Sequence, residues 1–209
     1  MTNGRRVTST PTTRPIWRRF VVGDVLGAVL TGGGSTRMGR DKSVLPIGGV
    51  PMAVIVARVL AAAGAARVVA VGGDRSALGA LGLEVVPDPR QGDGPLAGIS
   101  AALHAGADFD AVVVLACDLV DASALGVRRV LAALGDATDA DVAVPVVDGR
   151  PEPLHAAWRP SAVTTIDLAL DAGERAVHAV FGRLTTVEVA GLDPRWFRNV
   201  NLPEQLGHT

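Results

Sequence analysis

Gly27-Ala28-Val29-Leu30-Thr31-Gly32-Gly33-Gly34-Ser35-Thr36-Arg37-Met38-Gly39-Arg40-Asp41-Lys42 reads as a short apolar strand running into a glycine-rich turn and then into three cations. Consecutive glycines after a strand let backbone N–H groups turn toward an anion with no Cβ in the way. Two phosphate loops can be tested by spacing. A Walker A loop needs Lys directly after its last glycine, but Arg40-Asp41 separates Gly39 from Lys42. A dinucleotide fingerprint starting at Gly32 and Gly34 has Arg37 where its third glycine belongs, and the acid expected ~20 residues on is missing. What remains is a glycine turn followed by Arg37, Arg40 and Lys42, a set suited to neutralising a triphosphate as pyrophosphate leaves. Lys42 is the one Lys among 20 basic residues. A compact ammonium at this position in an otherwise arginine-only chain points to a wanted point charge; the plainer reading pairs Lys42 with Asp41 or Asp88.

Outward from this turn, apolar runs alternate with helical stretches. Val25 to Leu30 reads as a first buried strand, and Met52 to Ala63 as a helix closed by Gly64. Strand Arg67 to Val71, a helical piece over Ser76 to Leu81 and strand Leu83 to Val86 follow. A helix over Leu96 to Ala107 starts beside Pro95. Ala111 to Ala116 is fully apolar, as a strand buried on both faces should be. A helix over Ser123 to Leu134 and a strand over Asp141 to Val147 come next. The alternation predicts an α/β fold of three Rossmann-like layers with a mainly parallel central sheet. Ligands bind such sheets beyond the carboxyl ends of the strands, so the loops after Leu30, Val71, Val86 and Ala116 are where chemistry is expected. The stretch after Val147 has weak periodicity and reads as a lid or dimerisation segment.

The chain has 209 residues, 48% hydrophobic and 20% charged, a composition of one globular domain and not of a disordered chain. Residues 1–22 read as a basic flexible tail, with five Arg and no acid up to Arg19. Arg18-Arg19-Phe20-Val21-Val22 resembles a twin-arginine export signal, but Asp24 interrupts the apolar segment and the tail reading is preferred. Residues 23–209 read as a single domain, with halves over about 23–122 and about 123–209. The chain after Arg19 holds 15 basic and 21 acidic residues, which argues against nucleic-acid partners. No run approaches the ~18 apolar residues of a membrane span. The lone Cys117 excludes a disulfide framework and suits a reducing cytoplasm.

Asp118 follows the most apolar strand. A carboxylate there is well placed to hold Mg²⁺ against nucleotide phosphates, since magnesium needs one or two carboxylates plus phosphate oxygens and water. The alternative is a cap for the Ser123 helix. Asp121 is a weaker second candidate. Asp88, in Val86-Pro87-Asp88-Pro89, is by itself a turn aspartate. Cys117 reads as a small buried residue with no base beside it.

Leu-x-Gly-Gly-x-x-x-Arg-Met-Gly-x-Asp-Lys is similar to the signature of the sugar-nucleotide-like nucleotidyltransferases, and within them it most resembles the molybdenum cofactor guanylyltransferase family. Pro95-Leu96-Ala97-Gly98, Cys117-Asp118, Ala172-Gly173-Glu174-Arg175 and Asn199-Val200-Asn201-Leu202-Pro203 look like further landmarks, in the family's order. The resemblance implies guanylyl transfer from GTP to molybdopterin, free or molybdenum-loaded, with Mg²⁺, and molybdoenzymes or delivery proteins as possible receivers. It implies catalytic roles for Arg37, Lys42 and Asp118. It implies nucleotide contacts from Leu30, Thr31, Gly32, Gly33, Gly34, Lys42, Gly72, Asp88 and Asp118, with Asp118 on the metal. Acceptor contacts fall to Gly98, Arg175, Asn199 and Asn201. Glu152, His155 and Trp158 also resemble the acceptor side, although His155 and Trp158 read equally well as core. Two departures stand out. Cys117-Asp118-Leu119-Val120 lacks the proline common after the metal ligand. Gly72 stands where relatives carry a base-contacting Asn, so backbone amides or Asp74 would have to replace it. Cytidylyl transfer, guanylyl transfer to another phosphorylated acceptor, and a non-catalytic delivery module are the alternatives.

Overall fold

The computed structural model describes residues 24–32 and 41–200. Its main sheet runs β10-β7-β9-β6-β1-β4-β5, where β1 is Val25–Leu30, β4 Arg67–Val71, β5 Glu84–Val86, β6 Ala111–Ala116, β7 Val142–Val147, β9 His155–Trp158 and β10 Thr186–Val189. β8 (Arg150–Pro151) forms a hairpin with β7, and β2 (Pro46–Ile47) pairs with β3 (Val50–Pro51) apart from the sheet. The pairs β1–β4, β1–β6, β4–β5 and β7–β10 are parallel. β9 runs antiparallel between β6 and β7.

Helices cover both faces, as the alternation predicts. On one face α1 (Met52–Ala63), α2 (Arg75–Ala80) and α4 (Ala124–Asp136) bury Val56, Leu60, Leu78, Val127, Val130 and Leu134. On the other, α3 (Pro95–Ala105) and α5 (Val163–Asp171) bury Leu96, Ile99, Leu103, Ile166 and Leu170. β1 supplies both cores, since alternate side chains of a strand point to opposite faces. Val25 and Val29 join the first, Leu26, Ala28 and Leu30 the second.

The segment after Val147 is neither lid nor separate appendage. Its four residues His155-Ala156-Ala157-Trp158 are fully buried inside the sheet, and α5 packs on the face that α3 occupies. A two-sided buried strand this short, with two alanines, carries neither alternation nor a β-branched run, so nothing local marks it as a strand.

From β1 the chain moves outward to β4 and β5, then returns to β6 on the other side of β1. The order reverses between β1 and β6, where a crevice opens at the carboxyl ends. β6, β1, β4 and β5 span three steps of about 4.8 Å, roughly 14 Å in all.

Candidate active site

The loops leaving these four strands line a cleft of about 510 Å³. Leu30, Thr31, Gly32, Lys42, Asp88, Gly98, Asp118 and Asn199 border it, all expected from the sequence. Gly33, Gly34, Arg37 and Asn201, expected with them, lie outside the described residues.

At the β6 end, Lys42 Nζ donates to Asp118 Oδ2 at 2.9 Å across 76 positions of sequence. Both side chains are about one-fifth exposed, 19% and 22%. Lys42 thus reaches across the cleft to Asp118, a partner other than the Asp41 or Asp88 of the plainer reading. Asp41 instead builds the support beneath it: Oδ1 accepts from Ser43 N at 2.9 Å and Ser43 Oγ at 2.7 Å, and Oδ2 accepts from Asp74 N at 3.0 Å. Lys42 opens a three-residue 3-10 turn that Asp41 caps. Asp118 is no helix cap, for Ser123 Oγ takes that place on α4. Asp121 pairs with Arg198 at 2.7 Å and does not line the cleft that Asp118 borders. The turn after Asp118, despite its missing proline, is closed by Leu119 N to Ala116 O and by Val200 N to Asp118 O. Cys117 lines the cleft, but burial pushes its thiol up to about 12, which keeps it a protonated thiol and no nucleophile.

In the middle of the cleft, Thr31 N and Gly32 N both donate to Val71 O, and Thr31 Oγ1 reaches Val71 O and Gly72 O. β1 and β4 thus leave the sheet as one knitted pair of loops. Gly72 sits at φ +73°, and a Cβ there would lie 3.1 Å from Gly32 Cα. A side chain there would press on the Gly32 backbone, so glycine suits this tight crossing of the two loops. The substitutes considered from sequence are in part committed elsewhere. The amides of Thr31, Gly32 and Gly72 are spent within the fold, and Asp74 caps α2 through Ser76 N and Ala77 N.

At the β5 end, Asp88 Oδ1 accepts from Arg90 N at 2.9 Å, so it is a turn aspartate and a cleft residue at once. Gln91 borders the cleft beside it and was not singled out by sequence, where it sits in an ordinary loop without a motif.

The acceptor side is mixed. Asn199 and Gly98 line the cleft, and so does Glu152, whose carboxyl is raised by burial. Arg175 lies at the rim: it pairs with Asp93 at 3.1 Å and donates to Leu170 O and Glu174 O. Trp158 is core, fully buried and stacked near Phe181. His155 is buried against Phe197, its ring nitrogens unpartnered among the described residues. Among the described residues no three His, Cys, Asp or Glu cluster as a metal cage.

Comparison with known proteins agrees with this geometry. Residues 27–187 match the family described as the MobA-like NTP transferase domain. The chain is 40% identical to the molybdenum cofactor guanylyltransferase of Burkholderia vietnamiensis, over 89% of this chain and 95% of that one. It is 36% identical to the Rhodobacter capsulatus protein of the same name, over 87% and 93%. Among solved structures, molybdopterin-guanine dinucleotide biosynthesis protein A of Archaeoglobus fulgidus superposes with a TM-score of 0.69 at 27% identity, covering 87% of this chain and 94% of that one.

Proposed function

The chain belongs to the MobA-like NTP transferase family, and from that premise and the cleft geometry we propose that it transfers the guanylyl group of GTP to molybdopterin, releasing pyrophosphate. The observation that carries the reading is the Lys42–Asp118 pair, 2.9 Å apart at the end of a cleft whose other end is Asp88 and Gln91. Base at β5 and phosphates at β6 use the full width of the four strands.

The acceptor's terminal phosphate oxygen attacks the α-phosphorus in line. A bond from that oxygen to phosphorus forms, the α–β bridging bond breaks, and pyrophosphate leaves with the electron pair. The nucleophile is already an anion, so no general base is needed. The chain's contribution is alignment and charge stabilisation. Lys42 offers its ammonium to the phosphates whose charge grows on departure. Asp118 holds that ammonium in place and presents hard carboxylate oxygens to a divalent cation, for which Mg²⁺ is the fitting ion. A single partly buried carboxylate facing a phosphate site, with no protein cage around it, suits magnesium's preference for phosphate and water ligands. When bound, the ion polarises phosphate oxygens and neutralises their charge. Glu152 and Asn199, beside Gly98, border the part of the cleft left for a polar pterin.

The test is pyrophosphate release from the full chain with GTP, Mg²⁺ and molybdopterin. Asp118→Asn and Lys42→Ala should each reduce turnover roughly 100-fold, with CTP a poor donor throughout. Near wild-type rates in either variant would overturn the assignment.

A further inference from the structure

After β10 the chain comes back to the cleft past α4. Asp193 caps a 3-10 turn, Pro194–Phe197, by accepting from Arg195 N. That turn is seated at two points. The Trp196 ring packs on Gly126 of α4, where a Cβ would lie 2.9 Å from Trp196 Cε3. Phe197 is buried against the His155 ring on β9, with 4.6 Å between the ring centres. Arg129, on the same helix as Gly126, donates to Gly191 O at 3.0 Å and fastens the start of the segment. Gly126 is thus a notch: alanine there would suit the helix but strike the indole.

Beyond the turn, three consecutive residues meet the site. Arg198 Nη2 donates to Asp121 Oδ2 at 2.7 Å, Asn199 lines the cleft, and Val200 N donates to Asp118 O at 3.1 Å. The two bonds land on the two ends of the turn over residues 118–121. No helix or strand runs through residues 117–123, so Asp118 is carried by a loop and held by what that loop binds. Its carboxylate meets Lys42 Nζ at 2.9 Å, and any shift of the loop takes it away from the ammonium. Arg198 and Asp121 are 68% and 42% exposed, and a pair that open adds little to stability. What distinguishes it is its place, at the far end of the loop that carries Asp118.

We propose that Arg198 is a positioning residue for the transfer reaction: through Asp121, and together with the Val200–Asp118 backbone bond, it fixes the loop that presents Asp118 to Lys42 and to the divalent cation, with Trp196 and Phe197 as its anchors on α4 and β9. Asn199, held between the two bonds, is placed at the cleft by the same contacts. The inference rests on the guanylyl-transfer reading for the role of Asp118. It goes further by giving the support of that role to an arginine outside the cleft lining.

Titration calorimetry and pyrophosphate release on the full chain test this, with Arg198→Met, Asp121→Ala, Arg198→Lys, the reversed pair Arg198→Asp/Asp121→Arg, and Gly126→Ala. Calorimetry reads the GTP dissociation constant with Mg²⁺ and with EDTA, and the ratio of the two is the benefit the cation brings. Arg198→Met and Asp121→Ala should each shrink that ratio and lower kcat by roughly tenfold, as loss of an outer support of a metal ligand does. GTP binding in EDTA and the melting temperature should stay near those of wild type. Arg198→Lys and the reversed pair should recover most of the loss. Gly126→Ala, outside the cleft lining, should shrink the ratio in the same direction by lifting Trp196. Arg195→Met, whose partner Asp193 lies within the segment itself, should match wild type. An Arg198→Met variant with the wild-type ratio and kcat overturns the inference, and so does one that loses only melting temperature. A loss in Arg198→Met with Asp121→Ala at wild-type values overturns the route through Asp121. A wild type whose GTP affinity ignores Mg²⁺ sinks the metal assignment of Asp118, and the inference falls with it.

Discussion

Lys42 and Asp118 form an ion pair that contributes little to stability, since partly exposed pairs are worth about 0–1 kcal/mol. Its value is positional: the only ammonium side chain of the chain is held at the cleft by a carboxylate that borders the same space. His155 is the opposite case, a residue whose effect is on stability. It is 1% exposed, its ring lies 4.6 Å from that of Phe197, and neither nitrogen has a partner among the described residues. Burial drives its pKa from 6.5 down to about 4. Between those values the unfolded chain binds a proton that the folded chain refuses. Stability is complete above pH 6.5, is lost as pH falls through the window, and levels off below about 4, with a ceiling of about 3 kcal/mol. His155→Leu removes both the proton and the unsatisfied nitrogens at similar volume. Urea unfolding from pH 7 to pH 4 should show a flatter stability profile for the variant and no loss at pH 7. An unchanged slope would show that His155 finds a proton partner in the native state.

Asp41 works at the scale of the element, because its carboxylate fastens the 3-10 turn that carries Lys42 to the loop between β4 and α2. Asp41→Ala should cost roughly 1–2 kcal/mol as a lost cap, read as a lower urea midpoint. It should also raise KM for GTP and lower kcat together, since the ammonium and the β4 loop both drift; Asp41→Asn, which keeps the acceptor for Ser43, should recover part of each. Unaltered kinetics with reduced stability would mean that Lys42 is positioned by Asp118 alone. Elements also explain what was legible beforehand. β1, β4, β5, β6 and β7 and the helices between them stand out in the sequence because long apolar runs and helix formers alternate with glycine and proline breaks. Lys42 and Asp118 could be placed together because each ends a recognisable strand–loop unit and the parallel order brings those ends side by side. β9 was hidden, because four residues buried on both faces have no period to read. Gln91 was hidden for a different reason: it sits in no motif, and only the fold shows that its loop borders the cleft.

At the scale of the molecule, the chain's two halves fill adjoining parts of one sheet, β6-β1-β4-β5 from the first and β10-β7-β9 from the second, joined where β9 pairs with β6. β9, from the second half, lies between β6 of the first and β7 of the second, with Val112 to Leu115 opposite Trp158 to His155. α5 packs against α3 and shares its core, and Arg90 and Asp93 of the nucleotide side pair with Asp171 and Arg175 of the acceptor side. Cutting after residue 122 would strip β6 of its β9 partner, leave its backbone groups unpaired along one edge, and expose one side of each core. Residues 23–122 should therefore neither fold nor bind nucleotide alone. The full chain should unfold in one cooperative step, with far-UV dichroism and tryptophan fluorescence, which includes buried Trp158, giving the same midpoint. GTP with Mg²⁺ at 100 times its dissociation constant should shift both signals equally, by about 2.7 kcal/mol. If the fluorescence transition stayed in place while the dichroism moved, the β6–β9 seam and the shared cores would not couple the halves, and nucleotide binding could not be transmitted to the second half through the sheet.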